Sequence, residues 1–164
     1  MIQYRTLQKE EAEAFWQLMN QMDQETKYML YEPNEREKNI PLLENIIQNA
    51  NENGFLEVVE MNHQLIGYIS AQKESLMRTK HCAYIVVGVL KNYHNQKIGS
   101  TLFEHLDVWA KANNIKRLEL TVLCENESAI HVYKKHGFEI EGTRRNSTYI
   151  DDNYKDEYYM AKIL

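Results

Sequence analysis

Gly99 and Ser100 lie where a polar turn runs into an amphipathic helix, a position at which backbone amides can hold an anion. Apolar residues recur at helical spacing in Lys97–Trp109, which predicts a helix that starts at Lys97. The N–H groups of its first turn have no intrahelical partner and lie at the positive end of the helix dipole. This arrangement predicts an anion site, and the usual anion is a phosphate. Many α/β proteins have a glycine at such a junction, so the signal needs support from elsewhere in the chain.

The segment before this junction is apolar, β-branched and almost uncharged. Cys82–Leu90 reads CAYIVVGVL, a pattern that predicts a strand covered on both faces. Lys91–Gln96 is polar and turn-like. The unit is therefore strand, short loop and helix, with several backbone N–H groups turned toward one point.

The remaining segments predict an α+β fold with a mixed, largely antiparallel sheet. Further strands are predicted at Ile2–Leu7, Phe55–Met61, Leu65–Glu74, Lys116–Cys124, Glu139–Ile150 and Tyr154–Leu164. Further helices are predicted at Lys9–Asp23, from Pro41 to about Asn49, and at Asn126–His136. This order of elements differs from a doubly wound nucleotide-binding fold.

Composition narrows the class of protein. The 164 residues are expected to form one domain, residues 1–164. The formal charge of -5 argues against nucleic acid as the main partner. No long uncharged apolar run predicts a membrane span, and the first residues do not resemble a signal peptide. Cys82 and Cys124 lie in apolar runs and are interpreted as free thiols, so a cytoplasmic protein is expected.

Two motifs together resemble those of the GNAT family of N-acetyltransferases. The stretch from His94 to Gly99 stands where the family has Arg or Gln, two residues, Gly, one residue, then Gly or Ala. The stretch from Asn126 to Phe138 has Ala three residues on, Tyr seven residues on, and Gly-Phe at its end, as in the family's other motif. The order of elements also matches over nearly the whole chain. The resemblance implies six to seven strands flanked by about four helices.

The same resemblance implies acetyl-CoA as the co-substrate. The residues it assigns to the donor are Val87, Gly88, Val89, His94, Asn95, Gln96, Lys97, Ile98, Gly99, Ser100, Asn126 and Tyr133. The Val87 or Val89 N–H is expected to polarise the thioester carbonyl. Asn126 is expected to contact the pantetheine arm, and it is equally suited to cap the helix that follows.

Two positions depart from the family's pattern. His94 replaces Arg or Gln, although its backbone N–H is expected still to reach a phosphate. Lys97 replaces a glycine that lets the backbone approach the phosphates closely. Its side chain either points outward or adds a charged contact to a phosphate. A cofactor site that no longer binds is the third alternative.

The resemblance makes Tyr133 the candidate general acid, which donates its phenol proton to the departing thiolate. The alternative is a tyrosine packed on the core face of a short helix. The general base is undefined: His81, Tyr84, Glu125 and an ordered water are all candidates. The other histidines, His63, His94, His105, His131 and His136, are interpreted as turn, loop or helix-surface residues, and no spacing predicts a metal site.

The acceptor side is expected in Gln24–Arg36 and in the last hairpin, as in the family. Tyr31, Glu32 and Tyr84 are the candidate substrate-binding residues, since acidic and aromatic side chains could line a pocket for a cationic amine. The alternative is a solvated acidic edge. The tyrosines of the last hairpin could form further walls.

The leading interpretation is an acetyl-CoA-dependent N-acetyltransferase that acts on a small primary amine, such as an amino acid or a polyamine. The alternatives are an enzyme for protein N-termini, similar to those of ribosomal proteins, and a non-catalytic acyl-CoA-binding regulatory module. A homodimer is suggested by analogy with the family only. No metal, nucleic acid or membrane partner is expected.

Overall fold

A seven-stranded sheet with helices on both faces forms the fold in the computed structural model, which describes residues 1–164. The strands are β1 (Ile2–Thr6), β2 (Gly54–Met61), β3 (Gln64–Lys73), β4 (Cys82–Val89), β5 (Arg117–Leu123), β6 (Glu139–Ile150) and β7 (Asn153–Ile163). The helices are α1 (Ala12–Glu25), α2 (Ile40–Asn53), α3 (Ile98–Ala112) and α4 (Glu127–Lys135). Short 3₁₀ turns occupy Lys9–Glu11 and Lys91–Tyr93.

The strand order is β1-β2-β3-β4-β5-β7-β6, and every neighbouring pair is antiparallel except β4 and β5. This confirms the predicted mixed, largely antiparallel sheet with four helices. Two hairpins turn where the sequence predicted. Asn62–His63 and Asp151–Asp152 all have positive φ values between 51° and 62°, as the favoured two-residue hairpin turn requires.

Local signals also explain where the helices begin and end. Asn39 caps α2 by accepting from the Leu42 N–H at 3.1 Å. Gly137 ends α4 with φ 94°, which a glycine adopts without strain. The Phe138 N–H then donates back to the Tyr133 carbonyl at 3.0 Å, and the two rings lie 6.2 Å apart between centroids.

One face of β4 is open, which corrects the prediction of a strand covered on both faces. Ala83 and Ile85 are buried, whereas Tyr84 and Val86 on the opposite face are 38% and 37% exposed. Helices α1 and α2 pack mainly on β2 and β3, and α1 meets β4 at Gly88, where Met22 fills the space. The apolar pattern of β4 therefore reflects a half-open strand beside a cleft.

The main core contains 29 buried residues between the sheet and its helices. Phe15, Leu18 and Met22 of α1 contribute to it from one face, and Leu102 and Leu106 of α3 from the other. None of the helices combines the length and the apolar character that crossing a membrane would need.

Candidate active site

A wedge-shaped gap opens between β4 and β5. The two strands pair only from Cys82–Tyr84 to Arg117–Glu119. Beyond that point β4 stays with β3 and β5 stays with β7, so the two strands diverge. The hydroxyls of Tyr84 and Thr121 lie 2.9 Å apart and bridge the strands where they separate. The gap therefore has one closed end and one end open to a ligand.

The β4 backbone presents hydrogen-bonding groups to this gap. The Leu90 N–H donates to the Ile66 carbonyl at 2.8 Å, toward β3. Amide directions alternate along a strand, so the N–H groups of Val87 and Val89 point the opposite way, into the gap. An extended ligand arm between the strands would find these groups already aligned.

The loop that follows β4 forms a cradle of backbone donors. None of the six consecutive N–H groups from Asn95 to Ser100 donates to an acceptor within the chain. The first bond of α3 joins the Thr101 N–H to the Lys97 carbonyl at 3.1 Å. Free amides at a helix N-terminus suit an anion such as a phosphate. We call Asn95–Ser100 the phosphate cradle.

Lys97 keeps the backbone conformation for which a glycine is usual. Its φ is 61°, in the left-handed region, and its side chain is exposed. Of the two alternatives for an intact loop, the outward-pointing side chain fits this geometry, although a charged contact to a ligand stays open. At Gly99 an added Cβ would meet nothing within 4 Å. The protein leaves that space open, as the close approach of a phosphate requires.

His94 differs from its expected role. Its backbone N–H donates to the Lys91 carbonyl at 3.2 Å and its Nε2 donates to the Val89 carbonyl at 2.8 Å. Both donors therefore hold the loop against the end of β4, which corrects the expectation that the His94 N–H is free for a phosphate. The free amides begin at Asn95.

Asn126 combines its two predicted roles in one side chain. Its Oδ1 accepts from the Ala129 N–H at 3.3 Å and so caps α4. Its Nδ2 has no partner within the chain and remains a donor for a ligand. The N-cap interpretation is confirmed, and the ligand contact remains a prediction.

Tyr133 packs in an aromatic cluster on the inner face of α4. Its ring lies edge-on to Phe103, with ring centroids 5.7 Å apart, and its hydroxyl has no hydrogen bond within the chain. Burial and, to a smaller extent, the neighbouring Tyr84 phenol raise the pKa of Tyr133 to about 12. The phenol is therefore protonated at neutral pH and has a proton to donate.

His136 is the residue that the sequence interpretation missed. It is half-buried, its Nε2 lies 3.1 Å from the Ser100 Oγ, and its ring stacks on Phe103. The sequence alone indicates a turn, loop or helix-surface residue, because its partner lies 36 residues away in sequence. Only the position of His136, three residues after Tyr133, linked it to the motif.

The open face of the sheet carries a cavity of about 290 Å³ beside the gap. Its lining residues are Tyr84, Arg117, Glu119, Leu120, Thr121, Glu141, Tyr159 and Met160. Arg117 donates to Glu119 at 2.8 Å and to both Glu141 oxygens at 2.5 and 3.0 Å. These contacts lower the pKa of Glu141 and raise that of Arg117. Two carboxylates and one guanidinium leave this group with a net negative charge, and one Glu119 oxygen stays unpartnered.

The acidic segment Gln24–Arg36 lies against the β6–β7 turn. Lys27 forms an ion pair with Asp151 at that turn. The Arg36 guanidinium lies 4.3 Å from the centre of the exposed Tyr31 ring and donates to the buried Asp23 at 2.6 Å. Glu32 is exposed and is one of the charges that raise the pKa of Lys27. The two elements expected on the acceptor side are therefore in contact.

The candidates for a general base differ in position. His81 precedes β4 at the closed end of the gap, about 20 Å along the strand from Val87 and so away from the open end. Tyr84 lies on the gap itself. Glu125 follows β5 and accepts from Lys155 at 3.1 Å. No cluster of potential metal ligands occurs in the chain.

Comparison with known proteins now decides the family. The model of the acetyltransferase (GNAT) family matches residues 13–138, well over half of the chain. The chain belongs to this acetyltransferase family. The match includes β4, the phosphate cradle and α4, so the gap lies within the region that defines the family.

Individual relatives agree with this assignment. The L-amino acid N-acetyltransferase AaaT of Escherichia coli (strain K12) is 34% identical over 103 residues, which are 60% of this chain and 62% of the relative. The spermidine N(1)-acetyltransferase of the same organism is 40% identical over 48 residues, 29% of this chain and 26% of the relative. The chain thus matches less than two thirds of the length of either relative.

A solved structure extends the likeness to the whole fold. The crystal structure of the acetyltransferase of GNAT family from Streptococcus pneumoniae superposes with a TM-score of 0.95. The two chains are 26% identical, and the superposition covers 100% of both. The sheet in which β4 and β5 diverge is therefore part of a fold that has also been determined experimentally.

Proposed function

We propose that this protein transfers an acetyl group from acetyl-CoA to a primary amine of a small molecule, an amino acid or a polyamine. One observation carries the proposal: the Val87 and Val89 amides line a gap that leads to the phosphate cradle at the start of α3, and the protonated Tyr133 phenol of α4 packs against Phe103 of that same helix. A CoA ester needs these three features, since it has a pyrophosphate, an extended amide-containing arm and a thioester.

The donor supplies an activated acyl group, and each part of it has a partner in the chain. The cradle amides of Asn95–Ser100 hold the pyrophosphate. The β4 amides and the Asn126 Nδ2 hydrogen-bond the pantetheine arm. At the end of the arm, the Val87 or Val89 N–H donates to the thioester oxygen and stabilises the negative charge that develops there.

Transfer then requires one nucleophilic attack and a balanced movement of protons. The lone pair of the neutral amine forms the new C–N bond, and the C–S bond breaks as the thiolate leaves. Tyr133 donates to the sulfur. Because a thiol has a pKa of about 8.5, a phenol with a pKa of about 12 stabilises the thiolate by a hydrogen bond first. The phenol proton then passes to the sulfur while the proton that the amine loses reaches the Tyr133 oxygen through water, which leaves an amide, a free thiol and an intact phenol.

Charges near the gap favour an acceptor with a second positive group. Arg117 is bonded to two carboxylates, Lys27 is paired with Asp151, and Lys155 with Glu125. A free carboxylate on the acceptor could pair with one of these three cations only by displacing the carboxylate that it already holds. An ammonium group would instead meet Glu32 or the free oxygen of Glu119, while Tyr31 and Tyr84 provide aromatic surface. A diamine or polyamine is the first acceptor to test, ahead of an amino acid.

The experiment follows thiol release from acetyl-CoA across amino acids, diamines, polyamines and short peptides. A blank without acceptor corrects for Cys82 and Cys124. Turnover with one class of small amine is the expected result. Turnover only with peptides would replace the small amine by a protein N-terminus. Tight acetyl-CoA binding without turnover on any acceptor would indicate a non-catalytic binding module.

A further inference from the structure

His136 contacts the phosphate cradle from a different element of the fold. It follows the last turn of α4, and its Nε2 lies 3.1 Å from the hydroxyl oxygen of Ser100 in the first turn of α3. The imidazole stacks on Phe103, with centroids 5.2 Å apart and planes inclined by 21°. Ser100 is also the last of the cradle residues with a free N–H. The ring is therefore fixed against the one hydroxyl of the cradle.

We propose that His136 is a positioning residue for the acyl donor: it orients the Ser100 hydroxyl toward a phosphate of CoA and takes up a proton when that phosphate binds. This inference rests on the proposed function, because it requires a CoA ester in the cradle. It adds a proton-linked step to donor binding, which backbone amides alone do not provide.

A serine hydroxyl has a single proton to donate. When Nε2 of His136 carries a hydrogen, it donates to the Ser100 Oγ and leaves the Ser100 O–H free to donate to an incoming oxygen anion. In the opposite arrangement Ser100 donates to the ring, and only its lone pairs face the anion. A bound phosphate therefore favours the forms of His136 that carry a proton on Nε2.

Burial first, and nearby lysines second, oppose protonation of the ring until an anion arrives. Burial, Lys162 of β7 and Lys135 of α4 lower the pKa of His136, while Asp107 and Glu104 of α3 act in the other direction. Lys162 donates to Asp107 at 2.6 Å, so these two charges largely offset each other. A phosphate in the cradle adds negative charge close to the imidazole and raises its pKa. Donor binding should then tighten as the pH falls through the pKa that His136 has in the complex with the donor.

Calorimetric titration with 3′-dephospho-acetyl-CoA tests the proton uptake. This ligand keeps the pyrophosphate and lacks the 3′-phosphate, whose second ionisation near pH 6 would interfere. Titrations between about pH 6 and pH 8, in buffers of different ionisation enthalpy, count the protons bound with the ligand. We expect uptake of a fraction of a proton that increases toward the acid end, with a several-fold gain in affinity.

Substitutions separate positioning from titration. The variant His136→Gln keeps an N–H donor but cannot titrate, so its affinity at pH 8 should match the wild type and its proton uptake should vanish. The variant His136→Phe keeps the stack on Phe103 and should bind roughly fivefold more weakly. In a Ser100→Ala background, His136→Phe should have no further effect. His63→Asn removes an exposed histidine from the β2–β3 turn and is the matched control.

Three results would overturn the inference. Proton uptake that persists in His136→Gln would assign it to another group. Additive losses in the double variant would show that His136 does not act through Ser100. Failure of every form to bind a CoA ester would remove the proposed function and this inference with it, whereas the first two results leave the proposed function intact.

Discussion

The donor side and the acceptor side of this site are built in opposite ways. The proposed donor side is one continuous stretch, from β4 through the phosphate cradle, and most of the groups that it offers to a ligand are backbone amides. The acceptor side joins three segments that are distant in sequence: residues 24–36, β5 and the β6–β7 hairpin. Its binding groups are side chains, and most of its cations are already held in ion pairs.

This difference has a physical consequence for substitution. A backbone amide remains when its side chain changes, so the donor side tolerates Lys97 at a glycine position as long as the backbone keeps its shape. A charged side chain is lost with one substitution, so acceptor preference can change while donor binding stays constant. The four predictions below test this contrast, in order of decreasing effect.

Tyr133→Phe should give the largest loss, because the proposed mechanism makes Tyr133 the one donor-side group that acts through a side chain at the thioester. We expect kcat to fall about a hundredfold, the lower range for general acid catalysis. The affinity for acetyl-CoA should change little, since the aromatic cluster with Phe103 is kept. Steady-state kinetics combined with calorimetry measures both quantities. Unchanged turnover would leave Tyr133 as a packing residue only.

Gly99→Val should weaken donor binding without destabilising the fold. An added Cβ at Gly99 meets no protein atom within 4 Å, so the valine would occupy space meant for the phosphate. Loss of one or two charge-assisted hydrogen bonds corresponds to roughly tenfold weaker acetyl-CoA binding or more. Gly142→Val, at another glycine with open space and outside the cradle, is the control. Equal affinities for the two variants would contradict a phosphate at the cradle.

Glu119→Gln should change acceptor selection and leave the donor side unaffected. The free oxygen of Glu119 lies beside the gap, and strand geometry places Thr121 about 7 Å further along β5. A diamine could therefore react near Thr121 while its second ammonium contacts Glu119. We expect KM for diamines to rise about threefold, with KM for monoamines and acetyl-CoA unchanged. A uniform rise for all amines would assign Glu119 to general positioning instead.

Local signals in the sequence predicted most of the helices, strands and turns. They missed the contacts between side chains that are distant in sequence. The turns at Asn62–His63 and Asp151–Asp152 need residues that tolerate positive φ, and such residues stand there. The pairing of Arg117 with Glu141 and the contact between His136 and Ser100 cross 24 and 36 residues. No periodicity or spacing encodes such contacts, because they exist only once the sheet has formed.

Lys97→Gly should have the smallest effect. The direction of that effect separates the contribution of the backbone conformation from that of the side chain. Lys97 has φ 61°, which costs a non-glycine residue roughly 1 kcal/mol, so the variant should gain up to about that much in free energy of unfolding. An exposed lysine adds little to anion binding, and the affinity for acetyl-CoA should fall less than about twofold. Lys97→Met removes the charge and keeps a long unbranched side chain, so it isolates the electrostatic contribution of Lys97 to acetyl-CoA binding. The affinity of this variant should lose the salt dependence that Lys97 contributes. A loss well above tenfold in both variants would mean that a side chain holds the phosphates, and the contrast between the two sides of the site would then disappear.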